Sequence, residues 1–134
     1  MPPDDKETDT MVRCDGTYAS LPLKKDTINI AIAQTRVNGV DGKNPAKDIK
    51  NNLDYMLECI DISQGYGGRS DLICFHEFPI VGFSNWSREE HYRIAIEVPG
   101  PETEEIGKKC QEYGCYVVFG TYAKDPDWPD HILH

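Results

Sequence analysis

A chain of 134 residues, 39% hydrophobic and 28% charged, has the composition of an ordinary globular domain, which excludes wholesale disorder and a fibrous protein. Its 23 acidic against 14 basic side chains leave a net charge of −9, which repels phosphate backbones and anionic lipid, so neither nucleic acid nor membrane is an expected partner. No cationic region precedes an apolar run at the start, no later stretch has membrane-spanning length, and the expected location is the cytoplasm.

Residues 1–26 mix Pro2, Pro3 and Pro22 with many charges and little periodicity, so they are expected to form a flexible leader ahead of a single unit over 27–134. From Thr27 to Thr35, Ile28, Ile30 and Ile32 alternate with small or polar residues, the period of a strand with its isoleucines on one side. A loop with Gly39 and Gly42 follows, and Asn44-Pro45 offers a capping side chain just before a proline suited to the first helical position. Ile49, Leu53, Met56, Leu57 and Ile60 then recur at three- and four-residue steps, with Lys50, Asn51, Asp54 and Glu58 on the opposite side and Ser63-Gln64-Gly65 at the end. That is an amphipathic helix.

Asp71–His76 is a short apolar run between turn signals and predicts a buried strand. Ser87-Arg-Glu-Glu90 fits a capping box at the start of a short helix, which would end before Val98-Pro-Gly-Pro101. Ile106, Cys110 and Tyr113 lie at helical spacing after an acidic first turn, and Gly114 suits a left-handed exit. Cys115–Ala123 reads as another buried strand, Lys124–Asp130 as a loop, and Ile132-Leu133 as the start of one more strand. Strands alternating with helices predict an α/β layered architecture.

The five cysteines, at 14, 59, 74, 110 and 115, form an odd set with no Cys-x-x-Cys pair and no histidine at zinc spacing, so disulfides and structural zinc are not expected. Cys59 and Cys110 fall on or beside helical stripes and Cys74 in a strand, where a reduced thiol packs as a small hydrophobe.

The run Asp71-Leu-Ile-Cys-Phe-His-Glu-Phe-Pro-Ile-Val-Gly-Phe83 resembles the nitrilase superfamily of carbon–nitrogen hydrolases, in which a buried strand ends in a catalytic glutamate. Ile28–Gln34, Val98–Thr103 ahead of a helix, and Val117-Val-Phe-Gly-Thr121 keep the family's order, and the likeness covers its amino-terminal half. The resemblance implies part of a four-layer α-β-β-α sandwich, a Glu-Lys-Glu-Cys site, no cofactor, and hydrolysis of a nonpeptide C–N bond through a thioester. Only the first of those residues maps here, onto Glu77; the family's lysine and nucleophilic cysteine belong to later segments. A small amide, N-carbamoyl compound or nitrile is the expected substrate, with an amide favoured, and a homo-oligomer is expected for the full-length protein.

The residues agree about Glu77 independently, because a carboxylate closing an apolar strand must reach solvent, find a partner, or occupy a site with a raised pKa. A strand-end glutamate solvated at a loop is the plain alternative. Cys74 is three positions earlier, so strand alternation sends it to the opposite face, and the same rule turns His76 away from Glu77 as a packing or hydrogen-bonding residue. His76 stands where the family often has proline. Cys115 opens the next predicted strand, but its surroundings lack the family's nucleophile turn, and Lys124 reads as solvated. Phe78, Phe83, Trp86 and Tyr122 either border a substrate pocket or pack in the core. The competing function is a noncatalytic binding or regulatory role on the same scaffold.

Overall fold

The computed structural model describes residues 25–66 and 68–134, so all of the expected leader except Lys25 and Asp26 lies outside the described residues, as does Cys14. Eight elements follow: β1 (Ile30–Ala33), α1 (Ala46–Gly65), β2 (Leu72–Phe75), α2 (Arg88–Ile94), β3 (Ile96–Glu97), α3 (Pro101–Tyr113), β4 (Tyr116–Val118) and β5 (Ala123–Lys124). β1, β2 and β4 form a parallel sheet in the order β1-β2-β4, with Ile30 opposite Leu72 and Leu72 opposite Tyr116. β3 and β5 pair in a second, parallel two-stranded sheet. Parallel neighbours need crossover connections, and α1 and α3 lie in those that join β1 to β2 and β2 to β4.

α1 follows the apolar stripe: Ile49, Leu53, Met56 and Ile60 are buried, and they pack in one cluster with Ile73 of β2 and Ile106 of α3. Burial of a side chain of this size contributes roughly 1.5–3 kcal/mol, so the stripe is the main tie between helix and sheet. The expected cap is absent: α1 has no side-chain cap bond, and Pro45, already in the α conformation, opens the ladder by accepting from Ile49 N–H at 2.9 Å. Asp48 instead bonds back to Asp41 N–H at 2.9 Å, which fixes the loop that a capping Asn44 was expected to close. At the other end Gln64 is buried, donating to Ser70 O at 3.0 Å and accepting from Ser70 N–H at 3.1 Å.

α2 has the expected capping box: Glu90 N–H donates to Ser87 Oγ at 3.2 Å and Ser87 N–H to Glu90 Oε2 at 2.9 Å. Hydrogen bonding from Ser87, its backbone N–H first and then its side chain, holds the Glu90 carboxyl below its ordinary range. α3 begins with Pro101 and leaves through Gly114 at φ 65°, as its sequence predicts. It is tied to α1 by Lys109, 2.6 Å from Asp61 Oδ1, and by the Tyr113 hydroxyl, donating to the same oxygen at 2.7 Å. These contacts, Lys109 first, lower the Asp61 pKa.

Two expectations about strands need correction. Cys115–Ala123 is not one strand: β4 ends at Val118, the chain turns out of the sheet, and β5 joins the other sheet. β2 is buried on one side only, through Ile73, while Leu72 and Cys74 are half-buried. The opposite face is open. Ile28, Ile30, Ile32, Tyr116 and Val118 are 60%, 52%, 73%, 78% and 55% exposed, so the isoleucines do share a side, but it is the side away from the helices. Ile132-Leu133 contributes a bridge, with Leu133 antiparallel to Ala123.

Ile60 is fully buried in the stripe, so Ile60→Ala should cost about 2–5 kcal/mol. Lys47→Ala, at an exposed position of α1, should stay within about 0.5 kcal/mol of the native chain. Urea unfolding midpoints of the two variants check this.

Candidate active site

Glu77 stands two residues beyond β2, at the carboxyl end of the central strand of the parallel sheet, where open α/β sheets place their ligands. Its neighbours hold it there. Phe78, Ile80 and Val81 are buried directly after it, while Glu77 itself is exposed. With half-buried Phe75 and His76 before it and buried residues after it, the segment cannot slide without losing apolar burial.

Two backbone approaches fix the turn further. A Cβ on Gly120 would lie 2.6 Å from Glu77 O and 3.1 Å from Glu77 Cα, so the chain leaving β4 crosses the Glu77 peptide at a distance only glycine permits. Gly82, at φ +68°, has Asn38 O where a Cβ would be, 2.3 Å away. Buried Asn52 of α1 donates to Ile80 O at 2.8 Å. The helix thereby grips the segment that follows Glu77.

His76 is the hydrogen-bonding residue that alternation predicts. Its Nδ1 accepts from Phe78 N–H at 3.3 Å and its Nε2 lies 2.9 Å from Thr35 Oγ1; the first contact assigns the proton to Nε2, which then donates to the threonine. Burial lowers its pKa and favours this neutral form. Neither nitrogen is left for Glu77.

The Glu77 carboxylate meets another ring: His134 Nε2 is 3.0 Å from Glu77 Oε1, with the Glu77 side chain 61% exposed. His134 stacks on Phe78 at 5.2 Å between centroids and leans on Tyr122 at 5.4 Å, and Phe78 and Tyr122 stack at 4.9 Å. His91 meets Tyr122 and Trp86 edge-on. Trp86 and Tyr122 also pack against the core, and Trp86 donates to Val40 O at 3.2 Å. Phe83 alone of the four aromatics singled out in the sequence is largely exposed, at 63%.

Cys74 faces the open side of the sheet, in register with Ile32 and Val118. Cys59 and Cys110 are half-buried and Cys115 is buried, and burial raises the pKa of Cys59 and Cys110. Lys124 is not simply solvated: it is half-buried, with its ammonium 5.7 Å from the centroid of the Tyr92 ring. Among the described residues, no group of three or more His, Cys, Asp or Glu is arranged to hold a metal ion, and no helix is long and apolar enough to cross a membrane. A groove of about 700 Å³ runs between α1 and α3 over Ile49, Leu53 and Ile96. It does not include Glu77.

Asn52, Gly120 and His134 were not singled out in the sequence. Asn52 had a readable signal, a polar residue on the buried stripe one step from Leu53. The other two depend on contacts 43 and 57 residues away from Glu77 in the chain, which no local pattern encodes.

The family described as carbon–nitrogen hydrolase matches residues 29–132, and the chain belongs to that family. It is 34% identical over 83 residues to a formamidase of Bacillus cereus (strain B4264), a match covering 60% of this chain and 24% of that protein. A formamidase of Bacillus thuringiensis (strain Al Hakam) is 32% identical over the same length, with the same coverage. The chain thus spans about a quarter of the length of these curated relatives.

Gly120→Ala drives a methyl group into the Glu77 peptide and should destabilise by about 1–3 kcal/mol. Gly107→Ala, inside α3 with nothing within 4 Å of its added carbon, should instead stabilise by about 0.4–1 kcal/mol. Thermal unfolding of the pair checks both signs.

Proposed function

We propose that this chain supplies the general base, Glu77, of a hydrolase acting on nonpeptide carbon–nitrogen bonds, with a small amide as substrate and N-carbamoyl compounds and nitriles as the other members of the class. The observation that carries the reading is a carboxylate held at the carboxyl end of the central parallel strand, inside the segment that matches the family. The formamidase relatives favour an amide.

In this reading Glu77 takes the proton of a cysteine thiol as sulfur attacks the amide carbon. Glu77 passes that proton to the amide nitrogen, the C–N bond breaks, ammonia leaves, and a thioester remains. Glu77, a free carboxylate again, takes a proton from water as the water attacks the thioester and hands it to the departing sulfur, which releases the acid and restores the thiol. The thiol and a lysine that stabilises the developing oxyanion come from segments other than the described residues. No cofactor enters the cycle.

The four-layer sandwich belongs to the same reading. Parallel sheets are normally covered on both faces, and the face bearing Ile30, Ile32, Tyr116 and Val118 is apolar and open. A second sheet over that face would complete two inner layers, with α1 and α3 outside. Homo-oligomerisation of the full-length protein and a cytoplasmic setting, in keeping with four free cysteines among the described residues, complete the proposal.

A noncatalytic binding or regulatory role on the same scaffold is the second reading. It is favoured by the 61% exposure of the Glu77 side chain, since an efficient base is usually drawn into a drier site. The two separate on one variant of the complete protein. Glu77→Gln keeps the shape but removes the proton acceptor, so ammonia release from small amides should fall by roughly two to four orders of magnitude, with KM changing much less. Near-native turnover in that variant would remove Glu77 from the base role.

A further inference from the structure

A glutamate side chain at an exposed strand end samples several rotamers, whereas a general base must be held within hydrogen-bond reach of the proton it takes. Something must select one rotamer of Glu77. Among the described residues, one basic side chain stands at ion-pair distance from its carboxylate: His134, whose Nε2 lies 3.0 Å from Oε1.

His134 is itself well placed. One residue earlier, Leu133 N–H donates to Ala123 O at 2.8 Å and Ala123 N–H to Leu133 O at 2.9 Å, so a two-bond bridge to β5 sets the backbone. The preceding loop is tied down by Arg88, donating to Asp130 O at 2.8 Å. The imidazole then lies nearly parallel to Phe78, at 15° between planes, with Tyr122 against it at 43°. Phe78 is the residue next to Glu77 and is buried, so the ring that fixes His134 is fixed by the same turn that carries the carboxylate.

We propose that His134 is a positioning residue for Glu77, its Nε2 contact with the carboxylate holding that group in the rotamer that meets the substrate-side proton. The proposal rests on the general-base reading of Glu77. His134 touches no reacting atom and acts only through Glu77.

The experiment uses the complete protein, with formamide and acetamide as probes. His134→Ala should lower kcat about tenfold with KM within about twofold, because a poorly oriented base slows chemistry rather than binding. His134→Gln, whose amide N–H can reach the same oxygen, should recover at least half of the native kcat. In protein labelled with ¹³C at the glutamate carboxylates, the signal that Glu77→Gln deletes should shift in His134→Ala and return towards its native position in His134→Gln. The proposal is overturned if His134→Ala keeps native kcat, if His134→Gln is no better than His134→Ala, or if the Glu77 carboxylate signal does not move. The first two would reduce the histidine to ring packing or to nothing. A native kcat in Glu77→Gln would instead count against the base reading, while the carboxylate signal still decides whether His134 holds Glu77.

Discussion

The position of Glu77 depends on β2 lying between two parallel neighbours. Paired to β1 on one side and β4 on the other, β2 has its register specified twice, and a slip of one residue would turn buried Ile73 towards the open face. The chain leaves the sheet after Phe75, so the glutamate two residues on is delivered to the sheet's carboxyl end by the ladder itself. Crossing of Gly120 over the Glu77 peptide, the grip of Asn52 on Ile80 and burial of Phe78 then convert a strand end into a fixed turn.

The same sheet is covered on one face only. Its helix-covered face carries Ala31, Ala33, Ile73, Phe75 and Val117 in or against the core, while the other face carries exposed isoleucine, valine and tyrosine. A solvated face would alternate towards polar residues. The open side is therefore a surface suited to burial, and this physical fact supports the proposed second sheet without dependence on any relative.

Much of this was legible in the residues. The stripe Ile49–Ile60, the Ser87–Glu90 box and the Gly114 exit encode local geometry, and each element stands where its pattern predicts. His76 turned away from Glu77 because a two-residue period is rigid. Asn44 misled because a good capping residue before proline is a local preference, and Asp48 satisfied the loop instead. The run Cys115–Ala123 misled for a different reason: its composition is uniformly strand-forming, but Gly120 marks the close pass over Glu77, and that constraint is tertiary. The exposure of the isoleucine face was equally hidden, because alternation tells which residues share a side and not what covers it.

The central claim is that Glu77 generates the attacking thiolate, and trapping the covalent intermediate tests it most directly. The complete protein would be mixed with a small amide, quenched in acid within the first turnovers, and weighed intact. The account predicts a mass increase equal to the acyl group in the native protein and no such adduct in Glu77→Gln over the same interval. An acyl adduct that forms in Glu77→Gln as fast as in the native protein would contradict it.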